Sequence, residues 1–270
     1  MVRYERTAGQ PAPRDDVAYT VEAVRQCTPV IVELVLRPCA EGIRYQPGQY
    51  VLVGDVSYQR QVRSYSLANA PRPDGVVALL VTQVPGGELS TWLHDLHVGD
   101  DLLLSGPYGS FVDDLTQPGP RLYLAGGSGL APARALIEAG LTDSNPVPMT
   151  LLFSVRTEAD LIDHELICRW AQEHPAFRYV RTLTRQPGPP PVGHVPDVLP
   201  ELMSRLTEHR VFVAGSSGFV AACAHAARRL GAAAAHLFTE EFFFEPRPWG
   251  NADSDKGRRL SDGPDLHQDR

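Results

Sequence analysis

The 270-residue chain is short of the residues that build metal centres and disulfide frameworks. Its four cysteines, Cys27, Cys39, Cys168 and Cys223, lie far apart, with no C-x-x-C or C-x4-C-x2-C spacing. That excludes a zinc ribbon and a plant-type iron–sulfur loop, and the low cysteine density argues against a disulfide framework. Buried free thiols are the expectation. None of the nine histidines forms an H-E-x-x-H motif, and His94 and His97, three apart, read more readily as a surface pair than as ligands. No metal site is expected. No apolar run approaches the ~20 residues that span a bilayer. The polar N-terminus MVRYERTAGQPAPRDD also lacks the apolar core of a signal peptide, so a cytoplasmic protein with no membrane span is expected. Positive charge is scarce too: 25 Lys and Arg against 32 Asp and Glu leave a net −7, which disfavours a nucleic-acid partner. No internal repeat is found.

What is present is an ordinary globular composition, 43% hydrophobic and 21% charged. It suffices for one large domain or two modest ones. Residues 1–16 are polar, and 246–270 are rich in Asp, Arg, Gly and Pro, so a flexible N-terminus and a disordered tail are expected. From 17 to 116 the texture is β, with short runs at Tyr19–Arg25, Val30–Arg37, Gln49–Val53, Arg63–Ala68, Val76–Thr82 and Asp101–Ser105. Pro and Gly turns divide them, and six such strands predict an antiparallel β-barrel. One helix interrupts, with Leu89, Trp92, Leu93 and Leu96 at i, i+3, i+4 and i+7. From 117 to 245, strands at Leu122–Ala125, Thr150–Ser154, Tyr179–Leu183 and Val211–Ala214 alternate with helices at Ala133–Ala139, Glu165–Glu173 and Phe219–Leu230. That alternation predicts an α/β domain on a parallel sheet.

The second domain opens on a strand that runs into Gly126-Gly127-Ser128-Gly129-Leu130-Ala131-Pro132. Glycines let a backbone approach a ligand, and Pro132 stands where a helix should begin, whose N–H groups attract a pyrophosphate. The alternative is a tight strand–helix turn without a ligand. The turn is neither a G-x-G-x-x-G fingerprint nor a Walker loop, which needs Lys-Ser/Thr. Ala214-Gly215-Ser216-Ser217-Gly218 follows a later strand, and such turns at the carboxyl ends of parallel strands are where open sheets bind ligands. Neither turn has the G-x-S-x-G spacing of a nucleophile elbow. In the barrel, alternation puts Arg63, Tyr65 and Leu67 on one strand face and Ser64, Ser66 and Ala68 on the other. A cation and a ring on one face suit a phosphate and a planar ring system, or form a surface ladder. Gly86-Gly87-Glu88-Leu89-Ser90 adds a glycine turn, a hydroxyl and a helix start, a second seat for phosphate.

Together these pieces resemble the ferredoxin–NADP reductase-like flavoproteins, in order, from Tyr19 to Phe242. Pro47-Gly48-Gln49-Tyr50 resembles their P-G-Q-[YF] turn, and Arg63-Ser64-Tyr65-Ser66 their R-x-Y-S flavin motif. Gly86–Ser90 is similar to the G-G-x-x-S diphosphate turn, and Gly106-Pro107-Tyr108-Gly109-Ser110-Phe111 to the G-P-x-G-x-F barrel exit. Gly126–Pro132 resembles the G-G-T-G-x-A-P nicotinamide turn, with Ser128 for Thr. The resemblance implies an FAD-binding barrel over 17–116 and an NAD(P)-binding domain over 117–245, without an attached iron–sulfur domain.

Residue roles follow from the same resemblance. Arg63 would hold the flavin pyrophosphate, Tyr65 would pack on the isoalloxazine, and Ser66 would hydrogen-bond near flavin N5, with Ser64 in the same motif. Gly87, Glu88, Leu89 and Ser90 would seat the phosphates. Gly127, Ser128, Gly129, Pro132 and Gly215 would place the nicotinamide. Thr184-Arg185 resembles the Thr-Arg that takes a 2′-phosphate, which favours NADPH over NADH, with Arg156 near the adenosine ribose. Otherwise both arginines are solvated surface charges. Glu240, in Glu240-Glu241-Phe242, matches the C-terminal E-x-F best, and Ser66 and Glu240 are the residues expected to be catalytic. Phe242-Phe243-Phe244 would cover the outer flavin face, pack in a core or form a hydrophobic patch. Ala214-Gly215-Ser216 departs from the usual Cys-Gly-Pro, removing a thiol beside the nicotinamide. The implied function is hydride transfer from NAD(P)H to FAD, then electron delivery to a separate iron–sulfur protein, such as a ferredoxin, or an oxygenase component. Release of reduced flavin as a product, or a non-catalytic flavin-binding subunit, are the alternatives.

Overall fold

The computed structural model describes residues 16–144, 146–188 and 191–242. Six strands, β1 (Asp16–Thr28), β2 (Ile31–Pro38), β3 (Tyr50–Asp55), β4 (Arg63–Ser66), β5 (Val77–Thr82) and β6 (Asp101–Tyr108), form an antiparallel sheet in the order β4-β3-β6-β1-β2-β5. The sheet rolls until its edges meet: Leu67 bridges Leu79, and Ala68 N donates to Ala78 O at 2.8 Å. Rolling covers the unpaired edges that an open sheet would expose. Tyr19, Leu34, Leu36, Val51, Val53, and Leu104 fill the interior, and helix α1 (Glu88–His94) adds Leu89 and Leu93 to the same cluster. All six expected strands are present. β1 begins at Asp16, inside the stretch expected to be flexible, because Asp16 pairs with Ser105 of β6.

The second half holds β7 (Arg121–Gly126), α2 (Leu130–Leu141), β8 (Met149–Val155), α3 (His164–Glu173), β9 (Phe177–Leu183), α4 (Val195–Leu202), β10 (Arg210–Ser216), α5 (Ser217–Arg229) and β11 (Leu237–Phe242). Its five strands are all parallel, in the order β11-β10-β7-β8-β9. Strand alternation divides two cores. Tyr123, Ala125, Leu151, Phe153 and Phe212 pack with α2 and α3, whereas Leu122, Leu124, Leu152, Val211 and Val213 pack with α4 and α5. The strand order reverses at β7, so the crevice for a ligand opens at its carboxyl end.

Two elements were not legible in advance. α4 carries Pro196 and Pro200, which read as breakers, yet Pro196 sits in the first turn where its missing N–H has no helical partner. β11 is an edge strand whose residues Leu237-Phe238-Thr239-Glu240-Glu241-Phe242 are all at least partly exposed, so no apolar period marks it. The barrel docks on the α2 side of the second sheet. Ile31, Ala68, Ala78, Leu80 and Phe111 share one buried cluster with Leu130, Ala133, Leu136 and Ile137. Among the described residues no helix is long and apolar enough to cross a membrane. Phe243, Phe244 and the 246–270 tail lie outside the described residues, as do 1–15.

Candidate functional site

Segments from both halves meet at the carboxyl end of β7. Ser66, the last residue of β4, is buried and its Oγ donates to Glu240 Oε1 on β11, 174 positions away. Glu240 pairs in register with Ala214 of β10, which in turn pairs with Ala125 of β7. A single 3-10 turn, Gly127–Gly129, links β7 to α2. Two of its glycines are required for different reasons. A Cβ on Gly129 would lie 2.1 Å from Ala214 O, so β10 closes its inner side. Gly127 adopts φ +55, and a Cβ there would meet nothing within 4 Å, so its side of the turn stays open. Pro132 is the third residue of α2, where the N–H is an orphan in any case, and Ser128 is half-buried.

The barrel contributes a graded strand. Arg63 and Ser64 are exposed, Tyr65 is half-buried against the barrel cluster, and Leu67 is fully buried within it. Ser66 and Ala68 point the other way, towards the second sheet, as alternation requires. Among the described residues the Arg63 guanidinium donates to close neighbours, Val62 O at 2.9 Å and Gln61 Oε1 at 2.8 Å. At the Gly86–Ser90 turn, Leu89 is buried in the barrel and Glu88 is exposed. Ser90 Oγ accepts from Val84 N and donates to Gly87 O, both at 3.1 Å, so this hydroxyl braces the turn.

Arg156, Thr184 and Arg185 gather at the ends of β8 and β9. Thr184 N donates to Val155 O at 3.0 Å and Arg185 N to Arg156 O at 2.9 Å, with both arginines exposed. This cluster is one to two strands from the Gly127–Gly129 turn, roughly 5–10 Å. His94 and His97 diverge: His94 Nε2 is 3.0 Å from Val81 O, while His97 is exposed beside Asp100.

The family profile described as Oxidoreductase FAD-binding domain matches residues 27–112, and Oxidoreductase NAD-binding domain matches 123–225. A naphthalene 1,2-dioxygenase/salicylate 5-hydroxylase ferredoxin–NAD(P)(+) reductase component from Ralstonia sp is 30% identical over 86% of this chain and 70% of its own. Ferredoxin–NADP reductase B of Sorangium cellulosum (strain So ce56) is 32% identical over 82% of this chain and 95% of its own. The chain belongs to the ferredoxin–NAD(P) reductase family. The crystal structure of the Amycolatopsis cytochrome P450 reductase GcoB superposes on this reductase with TM-score 0.78 at 31% identity, covering 87% of this chain and 73% of that one. It is thus an oxidoreductase with FAD- and NAD(P)-binding domains.

The residues present fit both nucleotides. Among the described residues Arg63 offers an exposed fork held by its neighbours, and Gly127 leaves an uncovered side on the turn whose Gly129 packs on Ala214, the register partner of Glu240. Phe219 was not singled out from the sequence, yet its ring fills the gap between the two glycine turns. It lies 3.1 Å from a Cβ on Gly126 and 2.8 Å from one on Gly215. Paired glycines facing one aromatic were the available signal.

Burial pushes the Glu240 carboxyl up to about 7, against the opposing hydrogen bond from Ser66. Between its ordinary 4.5 and about 7, the folded chain keeps a proton that the unfolded chain releases. The Glu240 contribution to stability therefore falls as pH rises through that window and is flat above it. Glu240→Gln removes this dependence. In thermal unfolding of the apoprotein, the variant is expected to gain on the parent by up to ~1.4 kcal/mol per pH unit across the window. A constant difference would mean that Glu240 titrates like an exposed carboxylate.

Proposed function

We propose that this reductase takes hydride from NADPH into FAD and delivers electrons to a separate oxygenase component or iron–sulfur protein. The observation that carries this reading is the hydrogen bond of Ser66 to Glu240, whose register partner Ala214 is the residue on which Gly129 of the open turn packs. Bound FAD supplies the hydride acceptor and a two-electron to one-electron conversion that no side chain provides. The chain supplies place and protection. Arg63 holds the pyrophosphate as a bidentate cation, with the backbone of Gly87, Glu88 and Leu89 and the turn braced by Ser90 around it. Tyr65 covers the ring system, Ser66 lies at its reacting edge with its Oγ donating to Glu240, and Glu240 holds a proton behind Ser66. Gly127 and Gly129 bring nicotinamide close, and Pro132 and Gly215 border that seat.

The exposed pair Arg156 and Arg185 beside Thr184 supports NADPH, since two guanidiniums at adjacent strand ends suit a 2′-phosphate. The relatives from Ralstonia and Amycolatopsis, named as reductases of a dioxygenase/hydroxylase system and of a cytochrome P450, point to an oxygenase as the electron acceptor. Four unpaired cysteines suit the reducing cytoplasm. The test is an anaerobic titration of the FAD-loaded protein with NADPH and then NADH. Bleaching of the visible flavin absorbance, at lower NADPH than NADH, is expected. A yellow protein that neither nucleotide bleaches would overturn the reading, and flavin lost on gel filtration would favour release of reduced flavin as a product.

A further inference from the structure

The apolar cluster between barrel and α2 holds the two halves together, but apolar contacts are not directional. A second set of contacts is. Arg134, on the second turn of α2, is 6% exposed, and each nitrogen of its guanidinium serves a different element. Nε donates to Ala68 O, two residues beyond Ser66; Nη2 donates to Glu33 Oε1 on β2 at 2.6 Å; Nη1 donates to the Asp163 carboxylate ahead of α3. Arg25 closes the ring, its Nη2 2.6 Å from Glu33 Oε2 and 2.5 Å from Asp163 Oδ1. Two cations and two anions balance, so burial leaves no net charge uncompensated. Asp163 meets both arginines from φ +53, a left-handed conformation that costs a non-glycine residue energy and persists only where its surroundings require it. One turn further on, Glu138 Oε2 accepts from Ala70 N at 2.8 Å. Arg134 and Glu138 are i and i+4 on one face of α2, and both grip the segment that follows Ser66.

The consequence concerns distance. α2 starts at the glycine turn that seats the nicotinamide, and Ala68–Ala70 continues the strand that carries Ser66. We propose that Arg134 is a positioning residue for hydride transfer: by tying α2 to Ala68 in a fixed three-way fork, it sets the separation between nicotinamide and flavin seats. The inference rests on the reductase reading above. Displacing reactants by about 1 Å costs on the order of 10²-fold in rate, and a rigid fork with three acceptors restricts rotation as well as separation.

The test is stopped-flow reduction of FAD-loaded variants under anaerobic conditions, with the NADPH dependence followed to saturation. Arg134→Met keeps the stem and removes the fork. It is expected to retain FAD and an almost unchanged half-saturating NADPH concentration, while the saturating rate falls by about 10²-fold. Arg134→Lys, a point charge that cannot reach all three acceptors, should lie between. Glu138→Ala removes only the Ala70 anchor from a half-buried position and should slow saturated reduction several-fold in the same pattern. Glu138→Ala decides the matter if Arg134→Met fails to fold. Parent-like saturating rates in these variants, or a rate loss that excess FAD restores, would overturn the positioning role. A parent protein that NADPH does not reduce would instead sink the reductase reading itself.

Discussion

Gly129→Ala is expected to leave a yellow, FAD-loaded protein that NADPH reduces on the order of 10²-fold more slowly. The added Cβ would stand 2.1 Å from Ala214 O, 2.5 Å from Ala214 C and 2.9 Å from Gly215 N. Ordinary carbon–oxygen contacts are about 3.3 Å, so the turn or the end of β10 must retreat by roughly 1 Å. All three obstacles are backbone held in a central parallel strand, which cannot rotate away as a side chain would. Overpacking of this kind also costs ~1–3 kcal/mol. The barrel is not touched, so FAD content reports on the specificity of the effect. Gly127→Ala is the matched comparison. Its Cβ meets no protein atom within 4 Å, although φ +55 strains it, and its methyl would project into the open side proposed as the nicotinamide seat. Gly127→Ala should therefore weaken half-saturation by NADPH more than it slows the saturated rate, and Gly129→Ala the reverse. Identical profiles for the two variants would show that the two sides of the turn are not distinct.

The parts legible in the sequence were those fixed by local rules. The six barrel strands declared themselves through composition and turn chemistry, because Val, Leu and Tyr gather in short runs and Pro and Gly stand between them. The Gly126–Pro132 turn was legible because its constraint is backbone geometry, which only certain residues satisfy. Ser66 and Glu240 were reached only through the resemblance, since 174 residues separate them and nothing local marks either as the other's partner. Arg134 had no mark at all. Inside an apolar helix it reads as a solvated charge, and Glu33 within Ile31–Pro38 reads as an outward residue of a strand. Each is buried because the other is there, across 101 positions. Charge pairs of this kind carry no period and no spacing, so only the assembled fold reveals them. β11 was missed for the opposite reason: it is an edge strand with no fully buried residue, specified by its pairing to β10.

Asp113→Asn is expected to lower stability by ~3–5 kcal/mol, the cost of leaving a buried ion pair without one partner. Asp113 lies in the connection between the two sheets, at the amino ends of β7 and β10, opposite the site. Its Oδ2 accepts from Arg121 Nε and its Oδ1 from Arg210 Nε, both at 2.8 Å, with side-chain exposures of 1%, 0% and 11% for Asp113, Arg121 and Arg210. Arg121 also donates to Gly119 O and Asp114 O, so the connection wraps around one buried guanidinium. An amide of the same shape keeps one acceptor oxygen and no charge, and two guanidiniums must share it. For a protein of this size, a loss of that order lowers the unfolding midpoint by roughly 6–20 °C, and it is a large share of the ~5–15 kcal/mol that holds a domain folded. Exposure makes the contrast. Arg44 and Glu41 form an ion pair of ordinary length, 2.8 Å, but at 90% and 77% exposure. Water and salt screen such a pair almost completely, so Arg44→Ala should leave the midpoint within measurement error. Circular dichroism melts of the parent and both variants, each as apoprotein, test the argument. Equal midpoints for parent and Asp113→Asn would mean that Arg121 and Arg210 find other acceptors at no cost, and that the connection rather than the charge holds this end of the sheet.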